Sequence, residues 1–496
     1  MKIEDYLEQI SETEMELGKI IDTKFRMSNV SEGQAIVVAM MNDTVDLIED
    51  LSRDIYMFEL SYENYNNGLS FNPNYYMENM LLHDDMLWER IVCLVGINYN
   101  LDLSQLFEKK TIEVLYKSLK KEKMIDNEIK ETLCQIRADF NMRALKFDRS
   151  NNEHFISINL SNKQEYDNIK VDYTQFVNEE DDFFVFNLEK FLNVTFDYNF
   201  EVVKIIKNNI PIIKKKQKLY IDVMKRILNI MNICDEEYSF SCQSNMWAQK
   251  MVQCDRNFVC ESYELEKKYE ILREKYRDVI NKHNQYFVDC GDNSAYIRNT
   301  LLIDVIFRVK EISRTINLYL TSLNKLLNPG KKAYKCTDDD FKKFCCNELI
   351  GPNYYAFHAS IKMYSIYEKL AKFILCKYDI DKEYTKEENF KNLYYDKIQD
   401  ILKKKKYRTD CIDLFDKCIS STCFKNYEMM RNKEYHCLRQ EYLNPEKSGE
   451  FVLGKVYLVY LLLEEVYPLI ENIIYDEEII IDKRIQDRKD KIVVVK

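Results

Sequence analysis

The sequence predicts an all-α protein built from two repeated helical bundles that pair as an intramolecular pseudo-dimer. Long stretches carry apolar residues every three or four positions, the period of a helix with one buried face. Only nine Gly and six Pro punctuate 496 residues, too few for a turn-rich β protein or a glycine-loop nucleotide fold. Several anchors also recur in the same order in the two halves.

The expected elements run as follows. Residues 1–26 form an opening amphipathic helix. Val37, Met40, Met41, Thr44, Leu47, Ile48, Leu51, Ile55 and Phe58 then mark one face of a second helix. Segment 155–200, with FISINL and DDFFVF, shows some alternation and leaves room for a short strand. A helix begins at Pro211 and ends near 233. The boundary between halves falls near 235–255, giving domains of 1–240 and 241–496. The second half opens with an amphipathic helix over 261–284. The stripe Leu302, Val305, Ile306, Val309, Ile312, Ile316, Tyr319, Leu320 and Leu323 follows, and then Ile366, Leu370 and Phe373 within 359–374. The run VYLVYLLL before Glu464 is a buried helix, far short of the 18 or so apolar residues of a membrane span. Each unit is thus a bundle of about six helices.

The repeat rests on ordered matches. EDLSRDI (Glu49 to Ile55) resembles KEISRTI (Lys310 to Ile316) at an offset of 261. Trp88-Glu89-Arg90 resembles Tyr367-Glu368-Lys369 at an offset of 279. Lysine runs begin at Lys120 and Lys403, 283 apart. The growth in offset requires extra residues in the second half. The segment Asn328 to Asp340, with Pro329-Gly330, breaks helical periodicity and supplies them.

Composition narrows the function. The chain is 31% charged, 46% apolar and 13% aromatic, as expected of a packed helical protein. No GxGxxG or GxxxxGK[ST] is present. The acidic, amphipathic start has no apolar signal core, so a cytoplasmic setting is expected. The 15 cysteines include no CxxC pair and read as reduced core thiols. Cys242, Cys254 and Cys260 are too irregularly spaced for zinc. No Asp/Glu/His cluster has metal-ligand spacing, so neither metal nor cofactor is expected.

Arg149 and His154 (RSNNEH) are five positions apart, as are Arg431 and His436 (RNKEYH). With 18 Arg and five His in 496 residues, chance gives roughly 0.2 such pairs. A lone pair of this kind is ordinarily surface decoration. Two pairs at equivalent repeat positions, 282 residues apart, suggest one R-x4-H site in each half.

A helical bundle with R-x4-H late in it resembles the HEPN (higher eukaryotes and prokaryotes nucleotide-binding) domain. Arg431-Asn432 followed by His436 matches R-N-x3-H in full. The first half carries Ser150 where Asn is usual. The resemblance implies a metal-independent endoribonuclease of bacterial defence or toxin-type systems, with two motifs facing each other across a dimer or two domains. The same family includes inactive binding members. A family subgroup adds a Tyr two positions after the His, which an antitoxin partner nucleotidylates. Here Leu438 and Ile156 stand at that position, so this regulation is not expected.

The chemistry is coherent without the family. RNA supplies its own nucleophile, the 2′-hydroxyl. Cleavage then needs a proton acceptor, a proton donor for the 5′-oxygen, and a cation on the crowded phosphorane. Histidine, with an ordinary pKa near 6.5, serves either proton role. Arginine's donor fork matches phosphate oxygens. Asn432 would hold a phosphate oxygen or orient Arg431. Positions five apart on a helix diverge by about 140°, so the motif is expected to work across the two halves.

Lys120, Lys121, Lys403, Lys404, Lys405 and Lys406 would line an RNA path, although such runs are ordinarily solvated helix ends. The net charge of −11 opposes general nucleic-acid coating and requires local positive potential in the cleft. Glu89 and Glu368 follow buried aromatics and would pair with bases inside the bundle. His83, His283 and His358 are read as structural. The expected partners are RNA and an antitoxin or regulatory protein, with no membrane; self-association is compatible with the repeat. The contrasting expectation is a catalytically silent helical module binding nucleotide, RNA or a protein partner.

Overall fold

A computed structural model of the chain describes residues 3–24, 32–65, 73–99, 112–121, 125–138, 177–180, 183–186, 210–231, 258–287, 293–327, 351–378, 394–404, 409–436, 438–442 and 448–495. Among these the fold is almost entirely helical. In the first half lie α1 (Ile3–Lys24), α2 (Glu32–Tyr65), α3 (Pro73–Asn98), α4 (Ile112–Lys121), α5 (Asn127–Ala138) and α6 (210–230). The second half holds α7 (Phe258–Phe287), α8 (Asn293–Leu327), α9 (Pro352–Lys377), α10 (Tyr395–Lys404), α11 (Asp410–Ser420), α12 (Thr422–His436) and α13 (Ser448–Val495). A 3₁₀ turn, Gln440–Tyr442, follows α12.

The helices form where the periodicity demands them. All nine members of the Val37–Phe58 stripe on α2 are buried. On α8 every member of the Leu302–Leu323 stripe is buried except Leu323, which is half-buried. Each such aliphatic side chain removed from water contributes roughly 1.5–3 kcal/mol. The helix α9 starts with proline in its first turn after an extended Gly351, a position where the missing N–H costs nothing. From Tyr354 to Cys376 all its residues but Tyr364 are buried, which makes it a central helix.

Four helices recur in the same order and at similar lengths in the two halves. Helices α2 and α8 have 34 and 35 residues, and α3 and α9 have 26 each. The next pairs, α4 with α10 and α5 with α11, have 10 and 10, and 12 and 11. The α8–α9 interval is longer than the α2–α3 interval, where the Pro329-Gly330 segment was expected to add residues; that segment lies outside the described ones. The same is true of the 235–255 boundary, which falls between α6 and α7.

A further match joins them. PNYY opens both α3 (Pro73 to Tyr76) and α9 (Pro352 to Tyr355), at the spacing that separates Glu89 from Glu368. Buried ion pairs repeat with it. Arg90 Nε donates to Asp43 Oδ2 at 2.9 Å, and Lys369 Nζ lies 2.7 Å from Asp304 Oδ2. Aspartates 43 and 304 are separated by 261 residues, like the EDLSRDI and KEISRTI segments.

The buried apolar residues of both halves form one cluster. Polar contacts cross it: Tyr354 donates to Asp54 Oδ1 at 2.5 Å, Tyr75 meets Thr315 at 3.5 Å, and Arg308 donates to Glu78 at 2.6 Å.

In the segment where a short strand was left open, Val177–Glu180 pairs antiparallel with Phe183–Phe186, while FISINL lies outside the described residues. VYLVYLLL sits inside a helix of 48 residues that continues through Pro468. Among the described residues no helix is long and apolar enough to cross a membrane. Of the described cysteines, Cys93, Cys376, Cys411 and Cys418 are buried and in no disulfide.

Candidate functional site

The second motif occupies the last two turns of α12. Ser421 starts this helix: its Oγ accepts from the Phe424 N–H at 3.0 Å and donates to Glu465 at 2.7 Å. One hydroxyl thus caps α12 and ties it to α13. The other end is held by the first half. Arg90 donates through Nη1 to the Tyr435 carbonyl at 2.9 Å and through Nη2 to the Glu434 carbonyl at 2.5 Å. These are last-turn carbonyls with no partner within the helix. Tyr435 donates to Asp85 at 2.7 Å. Arg439, just beyond α12, bridges Asp43 and Asp50, and Lys455 lies 2.7 Å from Glu434.

Asp43 therefore carries two buried guanidiniums, and Arg439 and Arg90 hold its carboxyl below the ordinary range against the opposing effect of burial. Stripped of those partners it would be an uncompensated interior charge.

His436 closes the helix with half its side chain exposed, and its Nδ1 lies 2.9 Å from Glu89 Oε2. A carboxylate oxygen only accepts, so Nδ1 carries a proton in this contact, and in the neutral ring Nε2 then keeps its lone pair. Arg431 turns the other way. It is only 5% exposed, lies over the Tyr364 and Tyr435 rings at 4.5 and 4.8 Å, and donates to Asn432 Oδ1 at 3.1 Å. Its Nε has no hydrogen-bond partner among the described residues. Asn432 itself is exposed. The two motif side chains thus diverge, as a separation of about 140° on one helix requires.

Glu368, the repeat equivalent of Glu89, is buried beside Lys372 and Arg431. Burial raises its carboxyl to about 7, and Lys372, the Tyr395 N–H and Arg431 pull the other way. Lys372 is lowered to about 8, chiefly by burial.

Other expected residues are placed less informatively. Arg149, Ser150 and His154 lie outside the described residues, as do Lys405 and Lys406. Lys120 and Lys121 end α4 and Lys403 and Lys404 end α10, all four exposed. His83 and His358 are fully buried, and the His283 side chain lies outside the described residues.

Sequence reading used Arg90 only as part of a repeat anchor, without a role at the site, and passed over Asp43, Asp85 and Arg439. The Asp43–Asp304 and Arg90–Lys369 coincidences in the repeat were the available signal. Comparison with known protein families, with curated proteins and with solved structures found no match.

Proposed function

We propose that the chain is a tandem HEPN-like endoribonuclease that cleaves RNA without a metal ion, of the kind bacteria use in defence or growth arrest. The observation that carries this reading is the exposed His436 imidazole held by Glu89 from the other half. With Nδ1 occupied, Nε2 is free to take the 2′-hydroxyl proton, or, once protonated, to give one to the leaving 5′-oxygen. Exposed Asn432 would contact a phosphate oxygen. The exposed Lys120, Lys121, Lys403 and Lys404 offer positive potential in a chain of net charge −11, as RNA requires. Arg149 and His154 would complete the site from the first half, in an intramolecular pseudo-dimer supported by the matched helices. An antitoxin or regulatory protein would restrain the enzyme in the cytoplasm.

One observation favours the second reading, a catalytically silent module binding nucleotide, RNA or a protein partner. Arg431 is packed on two tyrosine rings and does not stand in solvent beside His436. The deciding experiment is incubation of purified protein with RNA in excess EDTA. The enzyme reading expects cleavage, 2′,3′-cyclic phosphate ends, intact DNA, and loss of activity in His436→Ala with the fold retained. Strict dependence on an added divalent ion, or a fully active His436→Ala, would refute it. RNA binding without cleavage would establish the silent module.

A further inference from the structure

At the centre of the shared core, three side chains with metal-ligating chemistry converge from three helices. Asp54 comes from α2, His83 from α3 and His358 from α9, and one ligand atom of each lies within 4.8 Å of the others. All three are fully buried. The two histidines are 275 positions apart in sequence, yet their ring centroids are separated by 4.8 Å.

The polar groups in this cluster are incompletely satisfied. Asp54 accepts from Tyr354 through Oδ1 at 2.5 Å and meets His83 Nδ1 through Oδ2 at 2.5 Å. His83 Nε2 and both ring nitrogens of His358 are buried with no hydrogen-bond partner among the described residues. Buried ring nitrogens are normally paired, and three without partners in one place need a cause. A packing role for two aromatic rings would be met more simply by phenylalanine.

We propose that Asp54, His83 and His358 bind one divalent transition-metal ion, which ties the first half of the chain to the second. Two imidazoles and a carboxylate suit zinc, iron, cobalt or nickel; calcium and magnesium prefer oxygen alone. The histidines need to be neutral to coordinate.

Nearby cations are already compensated. Lys362 pairs with Glu311, and Arg439 with Asp43 and Asp50. Asp50 Oδ2, itself paired with Arg439, lies 4.0 Å from His83 Nε2. Because the ligands are sealed inside, the ion would enter during folding and serve structure. The inference holds whether or not the chain cleaves RNA. Ligands separated by 29 positions (Asp54 to His83) and 275 (His83 to His358) leave no spacing signature, which is why sequence reading expected no metal.

The test is to unfold the full-length chain with the metal removed, refold it with Co²⁺ and desalt it. Wild type is expected to retain about one cobalt per chain, with ligand-field bands of nitrogen and oxygen donors and no thiolate charge-transfer band. It should also melt higher than protein refolded without metal. His358→Phe keeps a buried ring and removes a ligand; His83→Gln removes another. Each should lose at least nine-tenths of the bound cobalt and the metal-dependent rise in melting temperature, while far-UV circular dichroism stays helical. Folded wild type that retains no cobalt, a thiolate spectrum from the cysteines, or unchanged binding in a folded His358→Phe would overturn the proposal. Should neither variant fold, the wild-type stoichiometry and spectrum decide alone.

Discussion

Glu89 in α3 and His436 at the end of α12 are separated by 347 positions and meet at 2.9 Å, a carboxylate of one half holding an exposed imidazole of the other. The neighbouring Arg90 grips the carbonyls from which that imidazole hangs. One short stretch of α3 thereby sets both the position and the tautomer of the histidine.

Glu89→Gln tests the tautomer. A glutamine amide can donate to Nδ1 and so place the ring proton on Nε2, the wrong nitrogen for a base. Single-turnover cleavage of a labelled RNA should fall by roughly 10²-fold or more, with an altered pH profile and an unchanged helical spectrum. Wild-type rates and an unshifted profile in Glu89→Gln would remove Glu89 from the mechanism.

Arg90→Ala tests the position. It strips Asp43 of one of its two guanidiniums and leaves the last-turn carbonyls of α12 without their donor. Breaking a buried pair this way costs about 3–5 kcal/mol, read as a lower urea midpoint. Lys369→Ala, which removes the ammonium paired with Asp304, should also lower the midpoint because the pair repeats the same arrangement. Arg90→Lys keeps the charge but loses the fork and should recover only part of the stability. Near-wild-type midpoints in both alanine variants would show that these pairs contribute nothing net.

The all-α class was legible because its cause is local. The stripe from Val37 to Phe58 is a face to be buried, and all nine residues are buried. Positions of α2, α8 and α9 followed from the same period, although α2 and α8 run several residues beyond the stripes at both ends. The Arg431–His436 spacing was equally plain, but its geometry was not. The burial of Arg431 comes from Tyr364, a residue of α9 with no signal of its own. Glu89 was noticed as a candidate for internal pairing, yet its partner is a distant histidine. Long-range ion pairs such as Arg90 with Asp43 leave no mark in sequence unless the repeat is followed residue by residue.

Glu368 gives the stability a pH dependence. Its carboxyl is raised to about 7 in the folded chain from the ordinary 4.5. Between these values the folded state keeps a proton that the unfolded chain releases, so stability falls as pH rises from about 4.5 to 7. Lys372, lowered from 10.5 to about 8, acts at higher pH. There the unfolded chain holds the extra proton, and stability climbs from about 8 to 10.5. The combined contribution of the pair is lowest near pH 7–8. Urea midpoints of wild type and Glu368→Gln, measured from pH 5 to 8, should converge or cross as pH increases, with the variant gaining relative to wild type. Parallel curves would mean that Glu368 is ionised throughout.

The last expectation concerns the composite site. Arg431 and His436 leave α12 in different directions, one toward Tyr364 in α9 and the other toward Glu89 in α3. A single motif therefore does not present both groups to one phosphate, and cleavage needs a second contributor. Arg149 and His154, at the equivalent point of the first half, are the proposed source. Arg149→Ala and Arg431→Ala should each remove most activity, and the double variant should lose little more, because residues acting as a unit are non-additive. Ser150 in place of asparagine makes the first half the supporting one, so His154→Ala should be milder than His436→Ala. Two independent sites would behave otherwise: their rates would add, so each single-half variant would keep about half the wild-type rate and the double variant almost none. Steady-state cleavage rates of the three arginine variants separate the two cases without any assumption about the RNA sequence that is cut.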